Sequence, residues 1–180
     1  FVANRIGVFS ILAVMHHTAA FGLGFDTVDA LTGPKIGRPR SATFRTGDVV
    51  GLDTLAHVVN TMRDTLPSDP WHAFFKAPAW LDGLIARGAL GQKTKAGIYR
   101  KQGKTIEVFD PASGDYRASD DALSAEVAAI LQLADPAARL KALRQSGDVQ
   151  AQFLWAIFRD LFHYCAVQLE NVADNARDVD

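Results

Sequence analysis

Apolar residues crowd the first twenty positions of the chain. From Val2 to Phe21 they occupy most sites around a 3.6-residue period, and Gly22 and Gly24 follow as stop signals. The pattern predicts a buried helix of about 20 residues, ~30 Å long, that neighbours must cover on several sides. Asp26 then reads as the cap of a short helix, Thr27 to Thr32, ended by Gly33-Pro34. Lys35 to Thr46, with Arg38, Arg40, Arg45, Gly37 and Pro39, reads as a basic loop. A third helix is expected over Asp48 to Leu66, carried by Val49, Leu52, Leu55, Val58, Val59 and Met62 and ended by Pro67 and Pro70. Trp71 to Phe75 and Pro78 to Arg87 read as shorter helices, with Gly88 stopping the second. The period then shortens to two. Gly97 to Arg100 and Thr105 to Phe109 alternate like strands around Gln102-Gly103-Lys104, which predicts a hairpin, and residues 110–115 form a turn-rich exit. Helices resume at Asp120 to Ala134, Pro136 to Gln145 and Val149 to Asn171.

Composition narrows the picture mainly by exclusion. The 180 residues suit one domain or two small ones. With 19 Lys+Arg against 20 Asp+Glu, the formal net charge of -1 argues against a nucleic-acid-binding surface. The single cysteine, Cys165, excludes an intrachain disulfide. Arg5 and His16-His17-Thr18 interrupt the apolar opening and leave Ile6 to Met15, which is core-helix length and too short to span a membrane. Neither a basic leader nor a small-residue cleavage site precedes it, so a soluble, cytoplasmic setting is expected. The chain opens on Phe1 within an apolar run and stops at Asp180 within a helical pattern, which suggests a piece of a longer protein.

Few residues announce chemistry. The one Gly-x-Gly, Gly22-Leu23-Gly24, follows a helix and lacks a third glycine, so it makes no dinucleotide fingerprint, and no Walker motif is present. His16 and His17 are adjacent and point about 100° apart on a helix, so a solvated or hydrogen-bonded pair is favoured over a metal site. His57 beside Val58 reads as a packed histidine, and Cys165, flanked by His163 and Tyr164 on an apolar helix, as a core thiol. Asn4 and Arg5 stand out in the first turn of an otherwise apolar helix. Asn4 is either a capping or surface residue or an amide aimed at a ligand, since it can both donate and accept. Spacing does not choose between these.

The two long apolar helices suggest an internal repeat. Placing Val28-Asp29 on Val179-Asp180 lays helix 153–169 over helix 2–18, to within a residue. Four stretches, taken together, resemble the C-terminal helical region of the L-3-hydroxyacyl-CoA dehydrogenase family. Phe1-Val2-Ala3-Asn4-Arg5 resembles that family's Phe-x-x-Asn-Arg opening. Asp26-Thr27-Val28-Asp29 with Gly33 and Gly37-Arg38-Pro39 is similar to the acidic pair and Gly-x-Pro that come next. Asp48-Val49-Val50-Gly51-Leu52-Asp53-Thr54 resembles its Asp-x-x-Gly-Leu-Asp-Thr element. Gly88 to Thr94, continuing through Gly97-Ile98-Tyr99, resembles its Leu-Gly-x-Lys-Thr-Gly-x-Gly-Phe-Tyr signature. Order and spacing agree from residue 1 to about 110. Lys95 stands where the family usually has Gly, and Ser41-Ala42-Thr43 replaces a small-residue and Pro step.

The resemblance implies an all-α fold of the 6-phosphogluconate dehydrogenase C-terminal type with one small hairpin. Residues 1–118 would form the first helical unit. Residues 119–180 would hold linker helices and a partial, degenerate second unit, with Trp155-Ala156 or Ala156-Ile157 where the first has Asn4-Arg5. It also implies fatty-acid β-oxidation: NAD and a catalytic His–Glu pair on an upstream Rossmann domain, an acyl-CoA substrate, and homodimers. Asn4 is the one family active-site residue that maps onto this chain, as a catalytic and substrate-binding amide that orients the substrate oxygen. The chain alone would then be inactive and would not bind NAD. The basic loop Lys35, Arg38, Arg40 and Arg45 either faces CoA phosphates or, the favoured reading, is solvated with an Arg paired to Asp48 or Asp53. A purely structural module for dimerisation or domain docking is the competing function.

Overall fold

In the computed structural model, which describes residues 2–173, 175 and 177, the chain is mostly helical with one small antiparallel sheet. Helix α1 (Val2–Phe21) has the predicted bounds. It is followed by α2 (Phe25–Leu31), α3 (Phe44–Val50), α4 (Leu52–Thr65) and α5 (Ala79–Ala86). Strands β1 (Tyr99–Gln102), β2 (Thr105–Asp110) and β3 (Asp115–Ala118) come next, and α6 (Ala125–Leu131), α7 (Pro136–Gln145) and α8 (Val149–Val172) close the chain. No helix among the described residues is long and apolar enough to cross a membrane.

Four expectations change. The helix expected over Asp48 to Leu66 is two helices, because Gly51 takes φ 101° and ψ 127° and turns the backbone between them. The first of these begins at Phe44, inside the segment read as a basic loop. The hairpin gains a third strand: β1 pairs with β2 in the expected register (Tyr99 opposite Val108), and β2 pairs with β3 (Val108 opposite Arg117). Asp26 does not cap α2. The cap position is Gly24, and Asp26 lies buried in the first turn. There it takes a two-pronged ion pair from Arg117 (2.7 and 2.8 Å), which ties the sheet to α2.

The apolar girth of α1 is covered mainly by α8, with α4 and the 3-10 turn His72–Phe74 adding contacts. Phe9 is fully buried and stacks on Tyr164 of α8 at a ring separation of 3.8 Å. Burying such a ring contributes about 1.5–3 kcal/mol. At the other end of the same interface His17 Nε2 meets Asp160 Oδ2 at 2.6 Å, both side chains nearly buried. The two helices of the suggested repeat therefore pack directly on each other. The Val179-Asp180 pair that suggested their register lies outside the described residues.

Lys95 carries backbone strain. Its φ of 60° is left-handed, a conformation that glycine adopts without Cβ strain. A left-handed non-glycine residue costs about 1–2 kcal/mol, and the extra freedom of glycine in the unfolded chain gives back about half of that. Lys95→Gly is therefore expected to stabilise the protein by about 0.5–1 kcal/mol, a rise of about 1–4 °C in melting temperature by calorimetry. An unchanged or lower melting temperature would contradict the strained geometry.

Candidate functional site

Asn4 sits exposed at the start of α1, at the wall of a cavity of about 620 Å³. Arg5, His57, Thr61, Leu66 and Asn171 line the same space. His57, expected to be packed, is exposed and faces this cavity, because α4 buries Leu55, Ala56, Val59 and Met62 and turns position 57 outward. Three elements thus meet at Asn4: its own helix, the C-terminal half of α4, and the end of α8.

What holds that corner together is a buried carboxylate. The Asp69 side chain has no exposed surface. Its Oδ2 accepts from Arg5 (2.7 Å), from the Tyr164 hydroxyl (3.0 Å) and from Gln168 Nε2 (3.1 Å). Its Oδ1 accepts from the Trp71 backbone N–H at 2.8 Å, and Arg5 Nε also donates to the Tyr164 oxygen at 3.1 Å. Burial alone would lower the Arg5 guanidinium, but the bonds to Asp69 and Tyr164 raise it above its ordinary value. Burial, with Asp69 beside it, pushes the Tyr164 hydroxyl up to about 12. The chemistry is one of position: Arg5 stays charged and immobile, and the residue before it is held at a defined place. Asp69, Tyr164, Gln168 and Asn171 did not emerge from the sequence. One signal was available, since an arginine inside an apolar helix needs a buried anion, and Ser68-Asp69-Pro70 reads locally as an ordinary turn.

The motif residues shared with the resembled family form a second, separate joint. Asp29 accepts from the N–H groups of Thr43 (3.1 Å), Phe44 (2.7 Å) and Arg45 (3.0 Å), holding the start of α3, and from the Tyr99 hydroxyl (2.9 Å). Burial pushes its carboxyl up to about 6 against those four donors, and burial with Asp29 pushes Tyr99 far above the tyrosine range. Asp48 accepts from the N–H groups of Ile98 and Tyr99, both at 2.8 Å. Lys93 reaches both oxygens of Asp53 at 2.7 Å in an exposed pair.

The basic segment does not act as a unit. Lys35 and Arg40 are exposed, and Arg38 donates to Ser10 Oγ at 2.8 Å. Arg45 pairs with neither Asp48 nor Asp53. It lies 3.9 Å from Asp29 and stacks over the Tyr99 ring at 4.0 Å, because α3 begins at Phe44 and carries it toward the sheet. Cys165 is half-buried rather than a core thiol, since α8 turns Tyr164 inward in its place. His16 is exposed beside Phe74 (4.5 Å) while His17 turns inward to Asp160. Among the described residues no group of three His, Cys, Asp or Glu side chains is placed to hold a metal ion.

Comparison with known proteins adds the family. The model for the 3-hydroxyacyl-CoA dehydrogenase C-terminal domain matches residues 1–101. A probable 3-hydroxyacyl-CoA dehydrogenase of Bacillus subtilis is 38% identical over 180 residues, covering 100% of this chain and 23% of its own length. A probable 3-hydroxyacyl-CoA dehydrogenase of Deinococcus radiodurans is 44% identical over 101 residues, 56% of this chain and 28% of its own. A Rickettsia prowazekii protein, named provisionally as a fatty acid oxidation complex trifunctional enzyme, is 26% identical over 186 residues, 100% of this chain and 24% of its own. The chain thus spans about a quarter of the length of the curated relatives it matches. No solved structure matches it. With the family model covering more than half of its residues, the chain belongs to the 3-hydroxyacyl-CoA dehydrogenase family, through that family's C-terminal domain.

Proposed function

We propose that this chain is the substrate-orienting and assembly region of an NAD-dependent L-3-hydroxyacyl-CoA dehydrogenase of fatty-acid oxidation, inactive by itself. Residues 1–118 form the first helical unit, of the 6-phosphogluconate dehydrogenase C-terminal type. Residues 119–180 form a partial second unit that packs against it. The observation that carries the reading is Asn4: an exposed amide on a cavity wall, next to an arginine locked by a buried carboxylate. An amide held there can donate to the oxygen on C3 of an acyl chain and accept from a neighbouring donor, which supplies orientation more than proton transfer.

The described residues do not fit NAD. Their only sheet is antiparallel, and no strand–glycine turn–helix unit exists to cradle a pyrophosphate. The dinucleotide and the catalytic base therefore belong to an upstream Rossmann domain in this reading. The test is Asn4→Ala with such a domain restored ahead of the chain. A fall of about 100-fold in kcat/KM for a 3-hydroxyacyl-CoA is expected, on the order of a lost positioning contact. An unchanged kcat/KM removes the catalytic role and leaves the second reading, a docking or dimerisation module. That reading draws on the exposed Phe162 and Val167 of α8.

A further inference from the structure

Asn4 lines its cavity without a protein partner to hold it. Among the described residues its amide makes no hydrogen bond. It lies in the first turn of α1, where the backbone N–H groups have no intrahelical acceptor. Helix ends of this kind open locally unless something outside the helix fastens them. The place of the amide is therefore decided by what anchors the next side chain along. We propose that Tyr164 of α8 is a positioning residue for Asn4, acting through Arg5, so that a helix outside the matched 1–101 segment sets turnover at the site. This rests on the reading of Asn4 as a substrate-orienting amide.

Two contacts put Tyr164 across the opening of α1. Its ring stacks on Phe9 at 3.8 Å, and its hydroxyl oxygen accepts from Arg5 Nε at 3.1 Å. Positions 5 and 9 are neighbours on one face of a helix, so a single α8 side chain fastens the first turn to the second. Asn4 stands about 100° around from Arg5, on the side of the cavity that α4 and Asn171 also line. If the first turn rotates or frays, both residues move.

The hydroxyl also donates. Its proton goes to Asp69 Oδ2 at 3.0 Å, the oxygen that takes Arg5 Nη2 at 2.7 Å. Arg5, Tyr164 and Asp69 thus close a ring of three hydrogen bonds. The carboxylate is fixed from two further sides, by the Trp71 N–H at 2.8 Å and by Gln168 Nε2 at 3.1 Å. Within this ring the guanidinium plane is held at two nitrogens and cannot swing. Without the hydroxyl it keeps one anchor and pivots about it. Burial pushes the hydroxyl up to about 12, so it stays protonated and keeps both bonds across the neutral range.

The turn containing Asp69 reaches the same cavity. The Asp69 N–H donates to the Leu66 carbonyl at 3.1 Å, and Leu66 lines the space beside Asn4. One α8 side chain therefore ties together the two walls between which a substrate oxygen would lie. A misplacement of about 1 Å costs on the order of 100-fold in rate, so a loosened anchor belongs near tenfold.

The experiment is a double-mutant cycle in the enzyme with its upstream Rossmann domain restored. It is read as kcat and KM for a 3-hydroxyacyl-CoA, with the melting temperature of every variant. Tyr164→Phe keeps the stacked ring and should lower kcat about tenfold with KM within about twofold. In an Asn4→Ala background the same change should lower kcat no further, because no amide is left to position. Ile157→Val, a buried change on α8 two turns from Tyr164, should lower the melting temperature and leave kcat unchanged. An unaltered kcat in Tyr164→Phe, the same loss repeated in the Asn4→Ala background, or an equal loss in Ile157→Val overturns the positioning role and leaves Asn4 as it stands. An Asn4→Ala enzyme with unchanged kcat/KM overturns the reading of Asn4 and the positioning role together.

Discussion

Asp69→Ala is expected to lower the stability of the protein by about 3–5 kcal/mol, the range for removing one partner of a buried ion pair. The aspartate accepts from three side chains that reach it from different parts of the chain: Arg5 of α1, and Tyr164 and Gln168 of α8. Its removal leaves a part-buried guanidinium without its anion and two buried donors without an acceptor, and it frees the Trp71 amide. Each orphaned neutral group costs about 1–3 kcal/mol. Tyr164→Phe is the informative companion. It keeps the ring stacked on Phe9 and deletes only the hydroxyl, so a loss of about 1–2 kcal/mol is expected. Urea unfolding of both variants checks the ranking. Equal losses would mean that the Tyr164 hydroxyl carries the whole effect and that the bonds from Arg5 and Gln168 to Asp69 add nothing.

The same corner shows why the proposed site was only partly legible in the sequence. Asn4 drew notice because an amide in an apolar helix is unusual, yet its role came from resemblance and not from spacing. Its supports were invisible for a simple reason: Asp69 and Tyr164 are 95 residues apart and meet only in three dimensions. Nothing in the local pattern of either segment encodes the other. Helix α8, expected to belong to a degenerate copy, places Tyr164, Gln168 and Asn171 at the Asn4 corner.

Elements were legible where one period ran uninterrupted between clear stop signals. Helices α1 and α7 have the predicted bounds, and α8 ends one residue later than expected. The failures share a cause. Apolar spacing runs from Val49 to Met62 straight through Gly51, and periodicity carries no record of a backbone sign change there. Strand β3 is four residues long and follows a run of turn formers, so the alternation of Tyr116 and Ala118 was too short to read. Asp26 looked like a cap because caps and buried ion-pair partners use the same residue type. Only Arg117, 91 positions away, separates the two roles.

Gly97→Ala and Asp48→Ala are each expected to destabilise by about 2–4 kcal/mol, and together by at least about 1 kcal/mol less than their sum. A methyl group on Gly97 would sit 2.6 Å from the Gly91 Cα and 2.8 Å from the Asp48 Cγ, and closer still to the carboxylate oxygen that accepts from Ile98. Asp48 would have to leave, which orphans two buried amides at about 1–3 kcal/mol each in part-relaxed surroundings. Asp48→Ala orphans the same amides directly. In the double variant the oxygen and Cγ are gone, so the added methyl occupies vacated space and only the approach to Gly91 remains. Two substitutions that break one joint should couple, whereas distant sites add within roughly 0.3–0.5 kcal/mol. A double-mutant cycle by urea unfolding measures this, and strict additivity would refute the joint between Asp48, Gly91 and Gly97. The Gly97-Ile98-Tyr99 stretch is then explained by packing: at these positions the family motif records where α3 and the sheet touch.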